Sequence, residues 1–175
     1  MTKLLLLDLD GTVRRCKSNP QGFINDPKDQ ELIEGVEDAI INWPSEGWIA
    51  VGISNQAGVV CGHKTLEDCF REQQYTLSLC PWLNQISFCP DWGDTCWDLL
   101  RVGKAYSRED LGKIHEELKG TYRKPQPGML LRAMRQYGTL AGECIYVGDR
   151  AEDEQAAAAA GVRFIWADEW RGSLC

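Results

Sequence analysis

The sequence predicts an α/β fold with a mainly parallel central sheet, on two observations. Short apolar runs alternate with segments of helical period along the whole chain, the pattern of strands joined by right-handed crossover helices. Acidic and small polar residues follow those runs directly, and in such sheets ligands bind beyond the carboxyl ends of the strands.

Taken in order, Leu4 to Leu9 is an apolar run ending in acid and glycine, and it reads as a buried strand. Thr12 to Asp29 is polar and rich in turn formers, and reads as a loop. Gln30 to Asn42 places Leu32, Ile33, Val36, Ala39, Ile40 and Ile41 at helical spacing. Trp48 to Ser54 is a second buried strand. Thr65 to Leu79 is a helix with Thr65 as N-cap ahead of Glu67 and Asp68, acids that suit a helix N-terminus. Gln85 to Phe88 is a short strand. Cys89 to Tyr106 has mixed polarity and no clean period. Ser107 has the chemistry of another N-cap, which puts a helix at Arg108 to Lys119. Pro127 to Tyr137 is an amphipathic helix with proline in its first turn. Cys144 to Val147 is a third long-range strand. Glu152 to Ala160 is an alanine-rich helix stopped by Gly161, its alanines forming a close-packing face, and Val162 to Trp166 is the last strand. No repeat, low-complexity tract or long linker interrupts this, so residues 1–175 read as a single domain.

The bulk properties narrow the function. A chain of this length can bury a sizeable core. Its net charge of −7 disfavours a nucleic-acid backbone as partner and points to a small substrate met by a local site. There are eight cysteines, but the apolar run after Met1-Thr2-Lys3 is too short for a signal-peptide core, and no stretch approaches transmembrane length. Reduced, buried thiols in a cytoplasmic protein with no membrane association are therefore expected. Oligomeric state leaves no mark on the sequence.

Four segments carry chemistry. Asp8-Leu9-Asp10-Gly11-Thr12 closes the first strand and Ile53-Ser54-Asn55-Gln56 the second. Arg123-Lys124-Pro125-Gln126-Pro127-Gly128-Met129 opens a helix, and Gly148-Asp149-Arg150-Ala151-Glu152-Asp153 follows the strand at Val147. Together, in this order, they resemble the four motifs of the haloacid-dehalogenase (HAD) superfamily. The resemblance implies a Rossmann-like three-layer α/β sandwich and a phosphatase. Asp8 would be the nucleophile, Asp10 the proton shuttle and Lys124 the neutralising cation. Ser54 and Asn55 would lie at the phosphate, with Arg123 beside them for the substrate. The residue chemistry agrees. A carboxylate can take up a phosphoryl group, splitting one hard step into two. A second carboxylic acid can protonate the leaving oxygen and then deprotonate water. Two adjacent carboxylates need a cation, or one must stay protonated. Asp8, Asp149 and the backbone carbonyl of Asp10 would hold Mg2+, and Asp153 would orient Lys124 or a metal-bound water.

The likeness reaches further along the chain. Gly22-Phe23-Ile24, Glu31 to Val36, Ser54 to Val59 and Arg123 to Met129 are similar to the histidinol-phosphate and heptose-bisphosphate phosphatases. These belong to the capless third subclass, so no large cap domain is expected and a small phosphorylated metabolite would reach an open site. Those relatives usually carry a zinc loop. Here Cys89, Asp91 and Cys96 give only a degenerate version, with aspartate where histidine belongs and no cysteine before Arg123. A structural zinc takes four N or S ligands, so a metal-free loop is expected unless His115 or another cysteine completes the set. Gly120 to Pro125 also resembles the polynucleotide 3′-phosphatases, which makes a nucleic-acid 3′-phosphate the second reading. Trp92 and Trp97 could stack on bases, though packing of their loop onto the core is the plainer expectation. A non-catalytic binding module of the same fold is a third reading, opposed by the presence of Asp8, Asp10 and Lys124. The stretch Cys89 to Tyr106, with Trp92, Trp97 and Arg101, reads as an expanded loop that chooses the substrate.

Overall fold

Four consecutive leucines can be buried together only in a strand covered on both faces. Strand β1 (Lys3–Asp8) meets that condition: Leu4 and Leu6 enter one core, Leu5 and Leu7 the other. In this computed structural model the described residues are 2–43, 47–102, 105–110 and 116–172, with side chains at all of these except 102, 105, 106, 109 and 110. β1 lies between β4 (Trp48–Asn55) and β8 (Cys144–Gly148), both parallel to it. β5 (Leu83–Cys89) and β9 (Arg163–Trp166) extend the parallel array on either side. β6 (Trp97–Val102) and β7 (Ala105–Asp110) add an antiparallel hairpin at one edge, giving the order β7-β6-β5-β4-β1-β8-β9.

Helices cover both faces, so the fold is the expected three-layer α/β sandwich. α3 (Gly128–Tyr137) and α4 (Ala151–Ala160) cover one face through Met129, Leu130, Ala133, Ala156 and Ala157. α1 (Val36–Ile41), α2 (Leu66–Leu79) and α5 (Ala167–Gly172) cover the other through Val36, Phe70, Leu77 and Trp170. The alanine face of α4 packs closely, as its composition suggests. No large cap is present among the described residues, and no helix there is long and apolar enough to cross a membrane.

Three expectations need correction. Thr12 to Asp29 is not all loop, nor Gln30 to Asn42 all helix. Arg14–Cys16 (β2) pairs antiparallel with Gln30–Leu32 (β3), and α1 begins only after Gly35, which turns the chain at φ +86°. The reason is burial of polar groups: the Arg14 guanidinium and the Gln30 amide bond each other in the interior. Cys89 to Tyr106 is not all loop: Cys89 ends β5, residues 97–102 form β6 and residues 105–106 begin β7, so half of it belongs to the hairpin extension of the sheet. The helix expected at Arg108 to Lys119 is also absent from the described part. Residues 108–110 belong to β7, a short 3-10 turn forms at Glu116–Leu118, and residues 111–115, including His115, lie outside the described residues. Strand pairing of Arg108 with Leu99, its bidentate pair with Glu67 and its packing 4.1 Å over the Phe70 ring outweigh the local capping signal.

α2 matters to the site because it carries buried polar residues inward. Its first turn is held by Thr65, whose hydroxyl accepts the Asp68 N–H at 3.0 Å. Thr65→Ala should lower the unfolding free energy by about 1 kcal/mol. The measurement is a urea melt, where the midpoint falls while the slope is unchanged.

Candidate functional site

The carboxyl ends of β1, β4 and β8 bring Asp8, Ser54, Asn55 and Asp149 to one edge of the sheet. After β1 the chain wraps tightly: the Leu9 carbonyl accepts N–H groups from Thr12, Val13 and Arg14 at 3.3, 2.9 and 2.9 Å. Gly11 sits in that turn at φ +95°, and a Cβ there would lie 2.1 Å from the Asp149 Oδ2. After β8, a Cβ on Gly148 would lie 2.4 Å from the Cβ of Asp153. Glycine at the first position lets the turn after β1 close on Asp149, and glycine at the second lets Asp153 pack against the end of β8.

Lys124 is at the centre. Its buried ammonium donates to Asp8 Oδ1 and to Asp153 Oδ1, each at 2.6 Å, and to the Tyr146 hydroxyl at 3.1 Å. The Tyr146 hydroxyl in turn donates to Asp153 Oδ1 at 2.8 Å. Burial works against the ammonium, but Asp8 and Asp153 outweigh it and push Lys124 up to about 12. Burial pushes the Asp8 carboxyl up to about 7, with Lys124 opposing and Asp153 adding. The second Asp8 oxygen accepts the Thr12 hydroxyl, at 3.1 Å.

Asp10 lies in a different surrounding. Arg14 grips it with Nε on Oδ1 at 3.0 Å and Nη2 on Oδ2 at 3.3 Å. Gln56 Nε2 and the Ser54 hydroxyl donate to the same Oδ2, at 3.1 and 3.4 Å. Loss of water alone would raise its pKa, but the Arg14 guanidinium outweighs this and holds the carboxyl below the usual range. Asn55, expected at the phosphate, spends its amide on the backbone of Lys124: Nδ2 donates to the carbonyl at 3.1 Å and Oδ1 accepts the N–H at 3.0 Å. Arg123 stands half-buried with its guanidinium carbon 5.2 Å over the Trp92 ring, and its Nη1 is buried without a hydrogen-bond partner. Trp92 is 63% exposed. Trp97 is no loop residue: it lies in β6 against Phe70. Arg101 is also elsewhere, bonded to the Leu77 and Cys80 carbonyls at the end of α2.

Sequence reasoning missed Tyr146, Arg14, Gln56 and Glu72. Thr12 and Tyr146 were visible in principle, one as part of the first motif and one as a hydroxyl in the strand leading to Gly148.

The acidic residues fit a divalent cation. Asp8, Asp149 and Asp153 each present an oxygen within 4.8 Å of the others, the one such group of three among the described residues, and hard oxygen donors suit magnesium. Both Asp153 oxygens are already engaged, by Lys124 and Tyr146 and by the Arg150 N–H. That leaves Asp8 and Asp149 as the better carboxylate ligands. Loss of water and the neighbouring Asp153 raise the Asp149 carboxyl, outweighing the opposing charge of Arg150. The Cys89–Cys96 segment does not fit zinc. Asp91 Oδ1 accepts N–H groups from Gly93, Asp94 and Thr95 at 2.9, 3.0 and 3.1 Å, and the Cys89 thiol donates to it at 3.4 Å. Burial pushes that thiol up to about 12.

Residues 111–167 match a family model described as haloacid dehalogenase-like hydrolase. A D-glycero-beta-D-manno-heptose-1,7-bisphosphate 7-phosphatase of Haemophilus influenzae is 31% identical over 169 residues, covering 93% of this chain and 79% of the relative. The protein of that name from Escherichia coli is 33% identical over 161 residues, covering 90% and 75%. The fold is similar to that of a D,D-heptose 1,7-bisphosphate phosphatase from B. bronchiseptica complexed with magnesium and phosphate. There the TM-score is 0.67 at 24% identity, over 93% of this chain and 79% of that one. Shared across nearly the whole chain, this likeness and the four strand-end motifs place the protein in the haloacid dehalogenase-like hydrolases, among their phosphatases.

Proposed function

We propose that the chain is a magnesium-dependent phosphomonoesterase that acts on a small phosphorylated sugar through an aspartyl-phosphate on Asp8. The observation that carries this is the Lys124 ammonium, buried between Asp8 and Asp153 at the sheet edge where Asp10 and Asp149 also gather.

Asp8 Oδ2, which accepts the Thr12 hydroxyl, is the attacking atom. As its bond to phosphorus forms, the bond from phosphorus to the leaving oxygen breaks, and Asp10 gives that oxygen a proton; for this step Asp10 has to be in its protonated form, although Arg14 favours the anion. Asp10 then takes a proton from water, whose oxygen attacks phosphorus while the bond to Asp8 breaks and inorganic phosphate leaves. Lys124 neutralises Asp8 and an equatorial phosphate oxygen, and the Ser54 hydroxyl exchanges Asp10 for a second such oxygen. Asn55 positions Lys124 from its backbone. Asp153 holds the ammonium in place. Magnesium, held by Asp8, Asp149 and the Asp10 carbonyl, would screen the repulsion between anionic nucleophile and anionic phosphate.

The relatives' names support a sugar bisphosphate as substrate. Arg123 supplies a reason in this chain: its unpartnered Nη1, beside the exposed Trp92, suits a second anionic group. The exposed indole also suits a stacked base, which keeps a 3′-phosphorylated oligonucleotide in any substrate screen. The seven described cysteines are free thiols, most of them buried, which supports a reducing, cytoplasmic setting.

Asp8→Asn should abolish turnover of every phosphate ester at unchanged melting temperature, because an amide oxygen does not attack phosphorus. Near wild-type rates in this variant would refute the covalent route. Excess chelator should stop the reaction and added magnesium restore it. Asp149→Ala should raise the magnesium concentration needed for half-maximal rate, and Asp153→Ala should raise it less. Arg123→Ala should raise KM for a sugar bisphosphate at least ten-fold while leaving p-nitrophenyl phosphate nearly unchanged. An equal effect on both esters would take Arg123 out of substrate choice.

A further inference from the structure

Arg14 is the largest fully buried side chain, and it bonds two carboxylates at once. Its Nη2 donates to Glu72 Oε1 at 2.7 Å as well as to Asp10, and Nη1 donates to Gln30 Oε1 at 3.2 Å and to the Thr76 hydroxyl. Glu72, also buried, holds Lys64, which donates further to the Ile24 carbonyl at 2.9 Å and to Gln56 Oε1 at 3.4 Å. Gln56 closes the ring by donating to Asp10.

A purely structural pair would need only Arg14 and Glu72. Here the guanidinium reaches past Glu72 to a carboxylate whose side chain is 41% exposed at the mouth of the site. An exposed aspartate gains little from such a pair for stability, and it would otherwise sample several rotamers in water. Four donors from two segments converge on it: Arg14 Nε and Nη2 from β2, and the Ser54 hydroxyl and Gln56 Nε2 from the end of β4. The two Arg14 donors are themselves fixed from behind by Glu72, Gln30 and Thr76. The arrangement is a buried frame with one group, Asp10, projecting from it into the site.

We propose that Arg14, braced by Glu72, is a positioning residue that sets where the Asp10 carboxyl meets the leaving oxygen. This rests on the assignment of Asp10 as the acid and base of the reaction. The fork geometry is what matters: a guanidinium can hold two Asp10 oxygens and Glu72 together, whereas an ammonium is a point charge that cannot fix their orientation. The benefit falls on the step in which the bond from phosphorus to the leaving oxygen breaks while Asp10 transfers its proton to that oxygen. A nitrophenolate leaves without a proton. An alkoxide needs one, and a placed general acid contributes about 10²–10⁴-fold to such a step.

The test compares kcat/KM, which reports the first chemical step, on p-nitrophenyl phosphate and on an alkyl phosphate ester of glycerol, with magnesium present. Arg14→Lys should lower kcat/KM on the alkyl ester at least ten-fold more than on the aryl ester. Arg14→Met should widen that gap if it folds, and Arg14→Lys carries the test alone if it does not. Equal losses on both esters, or a lower melting temperature with neither rate changed, would overturn the proposal and leave Arg14 a support of the fold. Asp10→Asn is run alongside. If it shows no preferential loss on the alkyl ester, the assignment of Asp10 itself fails. If it does and Arg14→Lys does not, only the role of Arg14 fails.

Discussion

The site depends on one buried ammonium. Asp8 and Asp153 face each other in the interior, and each touches the same nitrogen of Lys124 at 2.6 Å. Two carboxylates without that cation could not both stay ionised there, and removing one member of such a buried set costs about 3–5 kcal/mol. Much of the local structure serves to deliver this nitrogen. Asn55 clasps the Lys124 backbone from β4, and Tyr146 supports the ammonium from β8. Gly128 lets α3 begin directly against Thr121, since a Cβ there would lie 2.5 Å from the Thr121 carbonyl oxygen. Three separate segments thus fix one charge, and that charge fixes Asp8.

The two aspartates of the first motif are separated by one residue, yet their surroundings push them in opposite directions. Asp8 turns to the Lys124 side of β1, where burial dominates and raises its carboxyl to about 7. Asp10 turns to the α2 side, where the Arg14 guanidinium dominates and lowers it. A cation at Asp149 would reverse the first of these, since a positive charge beside a carboxylate favours its anionic form. Asp8 shares one ammonium with Asp153, whereas Asp10 has the Arg14 fork on both of its oxygens. Two like groups acquire different tasks through environment alone.

The sequence revealed the parts of this arrangement that are local. Leu4 to Leu7, Trp48 to Ser54 and Cys144 to Val147 announce strands by apolar content, so Asp8, Ser54 and Asp149 fall at their ends in the folded chain. The helices at Leu66–Leu79, Gly128–Tyr137 and Ala151–Ala160 follow from period, caps and glycine stops. What stayed hidden is non-local. Arg14 meets Glu72 across 58 positions and Lys124 meets Tyr146 across 22, and neither pair leaves a spacing to detect. The hairpin of β6 and β7 was hidden for another reason. Its strands carry charged residues that tertiary partners satisfy: Asp98 is buried against Arg132 of α3, Arg101 bonds the carbonyls at the end of α2, and Arg108 lies over the Phe70 ring. A local pattern that resembles a helix cap at Ser107 then has no weight against strand pairing.

An open site still needs a shaped rim, and here hydrogen bonds supply it where related proteins are expected to use a metal. Asp91 gathers three consecutive N–H groups on one oxygen, a concave backbone arrangement that binds an anion in place of binding a cation. Because that anion belongs to the chain, the loop closes on itself and requires no ligand from elsewhere. The Gly93 carbonyl then accepts the N–H groups of Gly120 and Tyr122 at 2.9 and 3.2 Å, which ties the loop to the segment leading into Arg123 and Lys124. The same few residues therefore fix the backbone approaching the essential ammonium and hold Trp92 beside Arg123 at the open edge. One carboxylate organises the loop, and the loop organises the cation.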